Sequence, residues 1–282
     1  MMRTVLEIIK MSADFLDGKG VENPRLNAEL LIGHALGLKR MQLYLQFERP
    51  LEEPELEMIR AGLRRRGQRE PLQYIIGATE FCGLTLKTDR RALIPRPETE
   101  YLVSLLVEKV APPSQQVLDL GTGTGAIALA LADHWPAAHV LAADVSADAL
   151  ALAQENVVRT GLEDRVRLVQ SDWYQNVPAG ACFDLIVSNP PYLSEEETGE
   201  TQAEVKNFEP RIALTPGPQG LESIRRIIAG AKGRLNAGGL LAMETGIAQH
   251  EEIAGMFAAA GFSRHEFLPD LTGRPRFAWA WV

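Results

Sequence analysis

Apolar runs of strand length alternate with helical patterns from Gln116 onward. The runs QVLDL, HVLAAD, VRLVQ, FDLIVSN and GGLLAMET are short and aliphatic, which predicts buried strands. Between them, apolar positions recur at helical spacing near 125–134, 148–160, 221–235 and 248–260. Parallel neighbours need crossover connections, so this alternation predicts a mostly parallel sheet with helices on both faces. Two last runs, around Phe267 and over 277–281, suit an antiparallel pair at one edge.

The pattern before residue 90 is different. Leu6, Ile9, Phe15 and Leu16 recur near helical spacing, Leu26, Leu30, Leu31 and His34 continue it, and Leu56, Ile59 and Leu63 mark a third segment. Asn23, Pro24 and Pro50 punctuate these helices, because proline is poorly tolerated inside one. Between Ala78 and Arg90, Phe81, Leu84 and Leu86 around Gly83 suit a short hairpin. The expected organisation is a helical substrate-recognition domain over 1–78, a hairpin linker over 79–96 and an α/β catalytic domain over 97–282.

Composition narrows the function classes. With 46% hydrophobic and 23% charged residues, the 282-residue chain reads as folded and water-soluble. Arg3, Glu7, Lys10 and Asp14 interrupt the start, which argues against a signal peptide, and no apolar run suits a membrane span. The expected compartment is the cytoplasm. Cys82 and Cys182 lie far apart and suit small buried packing groups, not a disulfide or a CxxC pair. The five histidines show no ligand spacing, so no metal is expected.

The net charge of -8 is uneven: residues 1–90 carry 14 basic and 13 acidic groups, residues 91–282 carry 15 and 24. An acidic second part argues against stable binding of nucleic acid, which needs a basic surface. Arg60, Arg64, Arg65, Arg66 and Arg69 form a local exception, read as a solvated helix face balanced by Glu52, Glu53, Glu55 and Glu57.

Ligands of open α/β sheets bind beyond the carboxyl ends of the strands, and the chemistry-bearing motifs lie there. Gly121, Thr122, Gly123, Thr124 and Gly125 follow the first strand, and glycines there let a ligand approach bare backbone. The spacing also satisfies a dinucleotide pattern, but Asp119 just before the loop suits a ligand ammonium better than a pyrophosphate. S-adenosylmethionine carries such an ammonium and no phosphate. Asp144, ending the next strand, suits two ribose hydroxyls with either cofactor. After the third strand, Asp172 can accept from an adenine amine while Trp173 covers the base.

Asn189, Pro190, Pro191 and Tyr192 follow the fourth strand. Two prolines remove backbone donors and stiffen the turn, which leaves its carbonyls facing outward. The Asn189 amide adds an acceptor and Tyr192 a flat wall, a combination that fits an NH2 group on a planar system: a carboxamide, or the exocyclic amine of adenine or cytosine. Its nitrogen is a poor nucleophile, because the lone pair is delocalised. Acceptors on its hydrogens favour pyramidalisation and stabilise the positive charge that develops as it attacks a methyl sulfonium. No general base is required before transfer.

With GTGTG at 121–125, Asp144, SDW at 171–173, NPPY at 189–192 and LIPRPETE at 93–100, the chain resembles the PrmC or HemK family, the protein-(glutamine-N5) methyltransferases of class 1 peptide chain release factors. The resemblance implies a Rossmann-like class I methyltransferase domain of seven strands behind a small all-helical domain. It implies S-adenosylmethionine at 121–125, Asp144, Trp173 and Asn189, and the glutamine of a GGQ loop at 189–192, with Asn189 and Pro190 at the chemistry. TPGPQGL at 215–221 departs from the family's pattern at Pro216 and Gln219. The segment around Arg96 and Glu98, between Pro95 and Pro97, reads as a rigid polar loop near the site. NPPY is shared with adenine-N6 nucleic acid methyltransferases, so these remain a rival reading. A glutamine methyltransferase of a ribosomal protein and a non-enzymatic nucleoside-binding module are two more.

Overall fold

Thr4 and Glu7 open the first helix with a reciprocal cap. The Glu7 amide donates to Thr4 Oγ1 at 3.3 Å and the Thr4 amide to Glu7 Oε2 at 3.0 Å, which satisfies two donors that a helix start leaves free. This helix, α1 (Val5–Asp17), precedes α2 (Pro24–Leu36), α3 (Arg40–Tyr44), α4 (Glu53–Gly67) and α5 (Leu72–Ile76). Pro24 sits in the first turn of α2, where a missing N–H costs nothing, and Gly37 at φ 65° ends it. Val5, Ile9, Ile32, Leu43 and Ile59 meet in one apolar cluster, and Leu16, Val21, Leu31 and Ile75 in a second. Each such aliphatic side chain contributes roughly 1.5–3 kcal/mol on full burial. The five-residue α3 and α5 are too short to show a period in the sequence.

The computed structural model describes residues 3–110 and 116–282. Two compact units emerge: Met1–Gly77 together with Gln202–Phe208, and Ala78–Thr201 together with Glu209–Val282. The first unit is thus built from two stretches of chain, and the arginine run explains how the second stretch is held. Arg66 is buried, where Nε donates to Asn27 Oδ1 (2.8 Å), Nη1 to the Glu70 carbonyl (3.1 Å) and Nη2 to Glu204 Oε1 (2.8 Å). Arg69 grips both oxygens of the same carboxylate at 2.7 and 2.6 Å. The solvated-face reading therefore fails for these two arginines, because their charges are neutralised by a residue far along the chain. Arg60 and Arg65 do pair locally, with Glu53 and Glu70.

The second unit begins with the hairpin β1 (Ala78–Phe81) and β2 (Leu84–Lys87). Its two turn residues, Cys82 and Gly83, both have positive φ (48° and 81°), the hand that matches strand twist in a tight hairpin. Next comes α6 (Pro97–Lys109), which corrects the polar-loop reading of Arg96 and Glu98: Arg96 is its N-cap residue, Pro97 opens it, and Glu98 and Glu100 lie in its first turn. Proline and acidic residues are favoured there by the free N–H groups and the helix dipole.

β3 (Gln116–Leu120), α7 (Ala126–His134), β4 (His139–Asp144), α8 (Ala147–Thr160), β5 (Val166–Gln170) and β6 (Phe183–Ser188) follow in alternation. After α9 (Glu195–Glu200) and α10 (Ala203–Phe208, in the first unit) come α11 (Glu222–Ala231), β7 (Leu235–Glu244), α12 (His250–Ala260), β8 (Arg264–Pro269) and β9 (Pro275–Trp281). Among the described residues, seven strands form one sheet in the order β5-β4-β3-β6-β7-β9-β8. The strands from β5 to β7 pair in parallel, and β9 and β8 close the edge antiparallel, as the sequence pattern predicts.

Alternation along the central strands feeds two cores. Val117, Leu185, Val187, Leu240 and Ala242 pack with α6 and α7, whereas Leu118, Ile186, Leu241 and Met243 pack with α11 and α12. Cys182, in the connection before β6, is exposed and Cys82 only half-buried. Neither is the fully buried packing group that composition suggested, since Cys82 sits in the hairpin turn and Cys182 in the connection before β6.

Candidate active site

Strand order reverses direction at β3, whose neighbours are β4 and β6, and a crevice forms at such a point beyond the carboxyl ends. A cavity of about 420 Å³ lies there. Gly121, Thr122, Gly123 and Thr124 line it, as do Asp144, Asp172, Trp173, Asn189 and Pro191. Pro190 is buried and Tyr192 half-buried; the cavity wall takes Asn189 and Pro191 from this motif.

The glycine loop is held by its own polar contacts. Gly121, Gly123 and Gly125 have φ of 74°, 56° and 83°, a region costly for residues with a Cβ. Gly125 is not among the residues lining the cavity, and a Cβ there would press on Leu129 and Ala153 at 3.3 and 3.5 Å; it permits close helix packing. Asp144 Oδ2 accepts from the Gly123 amide and Oδ1 from the Ser146 amide, both at 2.9 Å. Each oxygen keeps lone pairs for a ligand. Ser146 itself caps α8 by accepting from the Ala149 amide.

Asp119 is fully buried beneath this loop. Its Oδ2 accepts from Thr122 Oγ1 at 2.6 Å, while Oδ1 has no hydrogen-bond partner. Burial pushes its carboxyl up to about 7. Asp119 is not itself on the cavity wall but lies against Thr122, which is; a cation bound above the loop would favour the charged form that burial opposes. Burial also raises Asp144 above the usual carboxylate range.

Asp172 and Trp173 sit on the turn after β5. Trp173 holds φ 53°, with its ring edge 3.8 Å from where a Cβ of Gly121 would lie. Asp172 Oδ2 accepts from Arg226 Nη2 at 2.7 Å, so one of its oxygens is engaged by the protein.

The turn after β6 differs in one respect from its sequence reading. Its carbonyls do not all face outward free: Tyr192 O accepts from Gln249 Nε2 at 2.9 Å. Gly220 packs so closely that a Cβ would lie 2.3 Å from that carbonyl. Among the described residues, the Pro190 carbonyl accepts no hydrogen bond. Asn189 Nδ2 donates to Thr99 Oγ1 at 2.8 Å, which leaves Oδ1 as the amide's open acceptor.

Of the further wall residues, the Arg96 segment is expected near the site from its sequence, whereas Ala92 on the wall and Glu209, the partner of Arg96, carry no sequence signal. Ala92, Leu93, Ile94 and Arg96 line the cavity ahead of α6. Arg96 pairs at 2.6 Å with Glu209, whose side chain is 1% exposed; burial raises Glu209 even against this pairing. Pro216 also lies on the wall, and the Gln219 amide points toward Glu222 Oε1 at 3.4 Å. Gly217 at φ 148° leaves the room that Glu222 fills, since a Cβ would meet Oε1 at 2.9 Å. Among the described residues, no group of His, Cys, Asp and Glu could hold a metal ion.

Known proteins with this sequence pattern are numerous. The chain is 40% identical to the release factor glutamine methyltransferase of Rhodopirellula baltica over 97% of this chain and 94% of that protein. Identity is 46% with the Chlorobaculum tepidum relative of the same name, covering 86% of this chain and 85% of the relative. With the one from Geobacter sulfurreducens it is 44%, covering 92% and 90%. This chain belongs to the release factor glutamine methyltransferase family.

Two family models match this family member, the second taking in residues 202–208 that belong to the first compact unit. The PrmC N-terminal domain matches residues 7–77 and the methyltransferase small domain matches 97–208. Solved methyltransferases share the fold at low identity. The hMettl16 catalytic domain aligns with a TM-score of 0.59 at 20% identity, covering 78% of this chain and 81% of that one. The T. thermophilus 16S rRNA N2 G1207 methyltransferase RsmC, solved with AdoMet and guanosine, aligns at 0.51 and 20% identity, covering 72% and 49%. No helix among the described residues is long and apolar enough to cross a membrane.

Proposed function

We propose that this chain transfers a methyl group from S-adenosylmethionine to the side-chain amide nitrogen of the GGQ glutamine in class 1 peptide chain release factors. The observation that carries the reading is the Asn189 carboxamide on the cavity wall, its nitrogen engaged by Thr99 and its oxygen left to accept from a substrate NH2. Near-complete alignment with proteins named release factor glutamine methyltransferase supports that substrate.

The cavity fits the cofactor on its own features. Its volume suits a ligand of nucleoside size, the glycine turn gives close access to backbone, and the buried Asp119 carboxylate beneath Thr122 would favour a ligand ammonium bound above the loop. When bound, S-adenosylmethionine supplies a methyl group on positively charged sulfur. Gly121, Thr122, Gly123 and Thr124 would cradle its amino acid end, Asp144 its ribose, and Asp172 and Trp173 its base. Asn189 Oδ1 and the Pro190 carbonyl would each hold one hydrogen of the glutamine amide. Acceptors there stabilise charge that grows on nitrogen only in the transition state, so they accelerate transfer more than they tighten binding. Pro191 and Tyr192 keep the turn rigid, so little reorganisation is needed.

Residues 1–78 form the recognition domain in this reading, 79–96 the linker and 97–282 the catalytic domain. The reading carries a cytoplasmic location, where release factors act, without stable binding of nucleic acid or membrane. The test is mass spectrometry of the GGQ peptide after purified release factor is incubated with enzyme and cofactor. A methyl on the glutamine is expected, and its loss in Asn189→Ala. Methylation of adenine-containing nucleic acid or of a ribosomal protein instead would overturn the assignment.

A further inference from the structure

Behind Asn189 stands a buried chain of polar groups that the proposed chemistry does not itself use. Glu244 ends β7 at 1% exposure. Its Oε2 accepts from Thr99 Oγ1 at 2.7 Å and its Oε1 from the Tyr192 hydroxyl at 3.0 Å. Thr99, also buried, lies in the first turn of α6 and accepts from Asn189 Nδ2.

The direction of these bonds follows from proton counting. Burial raises the Glu244 carboxyl, while the Thr99 and Tyr192 hydroxyls and the nearby Arg276 favour its charged form; in that form a carboxylate only accepts, so both hydroxyls donate to it. A threonine hydroxyl has one proton; once that is given to Glu244, Thr99 can only accept from its other neighbour. That neighbour must present N–H. The Asn189 carboxamide is thereby turned with nitrogen toward Thr99 and oxygen away from it. A neutral glutamine at 244 would bring a donor of its own. Thr99 could then donate to Asn189, and a flipped amide would present NH2 to the substrate.

We propose that Glu244, acting through Thr99, is a positioning residue that fixes the Asn189 carboxamide with its oxygen toward the substrate, so that the site selects a carboxamide over a carboxylate. This rests on the reading that Asn189 receives the substrate amide. A glutamine side chain offers hydrogens to that oxygen, whereas a glutamate offers only lone pairs and is repelled.

The test uses full-length enzyme, intact release factor, and release factor whose GGQ glutamine is replaced by glutamate, with folding checked by thermal melts. Glu244→Gln should lower kcat about tenfold or more, as loss of an oriented polar group does in other active sites. Cofactor affinity should stay within about twofold, and the glutamate-bearing factor should become a better competitor relative to the KM of the glutamine-bearing one, by about fivefold. Thr99→Val should shift preference the same way, and Thr99→Ser, which keeps the hydroxyl, should recover most of the loss. Combining Glu244→Gln with Thr99→Val should cost little more than either alone, because one relay is broken.

Parental preference between glutamine and glutamate in both Glu244→Gln and Thr99→Val would overturn the proposal. So would a Thr99→Ser defect as deep as that of Thr99→Val. Parental kcat in Asn189→Ala would instead overturn the substrate reading itself, which separates the two failures.

Discussion

Replacing Glu204 with alanine removes the carboxylate on which two guanidinium groups converge. Three charge-assisted bonds of 2.6–2.8 Å are lost, one from Arg66 and two from Arg69. Arg69 is 27% exposed at its side chain and can turn to water, but Arg66 is 7% exposed and keeps its charge buried. Breaking a buried pair by removing one partner costs about 3–5 kcal/mol, and since Arg66 retains Asn27 and the Glu70 carbonyl, about 3 kcal/mol is expected. Burial disfavours the charged Glu204, yet Arg69 and Arg66 outweigh it and hold the carboxyl below its usual range. A depressed carboxyl stabilises above the unfolded pKa and loses its contribution only as pH falls through the folded value, so the full effect is present near neutrality.

The assay exploits where the tryptophans lie. Trp135, Trp173, Trp279 and Trp281 all belong to the second unit, so their fluorescence reports that unit, whereas circular dichroism at helical wavelengths also reports the first. With a urea dependence of about 1 kcal/mol per molar for a unit of the first one's size, the midpoint of the helical transition falls by about 3 M. Hydrogen exchange should show the same loss over residues 5–67 and 203–208. A circular dichroism midpoint unchanged from the parent would refute the clasp. So would additive losses in a cycle with Arg69→Ala, since partners in one network must couple.

Asp144→Ala should weaken S-adenosylmethionine binding by about 10- to 100-fold, the worth of charge-assisted hydrogen bonds to hydroxyls; unchanged affinity by calorimetry would remove the ribose assignment. For Asp119, the folded carboxyl near 7 lies above its unfolded value, so the ligand-free protein gains stability from this group at low pH and loses it as pH rises through about 7. Asp119→Asn should flatten that slope, raising the ligand-free Tm relative to the parent at pH 8 more than at pH 5, and identical pH profiles would count against it.

Strand ends were the legible part of this molecule. The glycine loop, Asp144, Asp172, Trp173 and Asn189 were placed on one rim by period and length alone, because a parallel sheet brings successive strand ends together whatever their separation in sequence. Helix α6 was obscured by its own start: PRPETE reads as a loop if prolines are taken as breakers, whereas Pro97 followed by Glu98 and Glu100 is equally a helix opening. The acidic first turn was the signal that distinguishes the two.

Partners across long separations had no such signal. Thr99 and Glu244 are 145 positions apart, and Arg66 and Glu204 are 138 apart. Glu244 closes an apolar strand, and its sequence position gives no reason to expect a buried charge. What brings it to Asn189 is strand order: β7 lies beside β6, with Ser188 opposite Met243. The residues that follow this pair lie at the same level, Asn189 just past the end of β6 and Glu244 as the last residue of β7, and α6 supplies Thr99 between them. Sequence can name the group that meets a substrate, since that group must have a particular chemistry. The groups that orient it are constrained only by the donors and acceptors left over, and these can be counted only after the strands are paired.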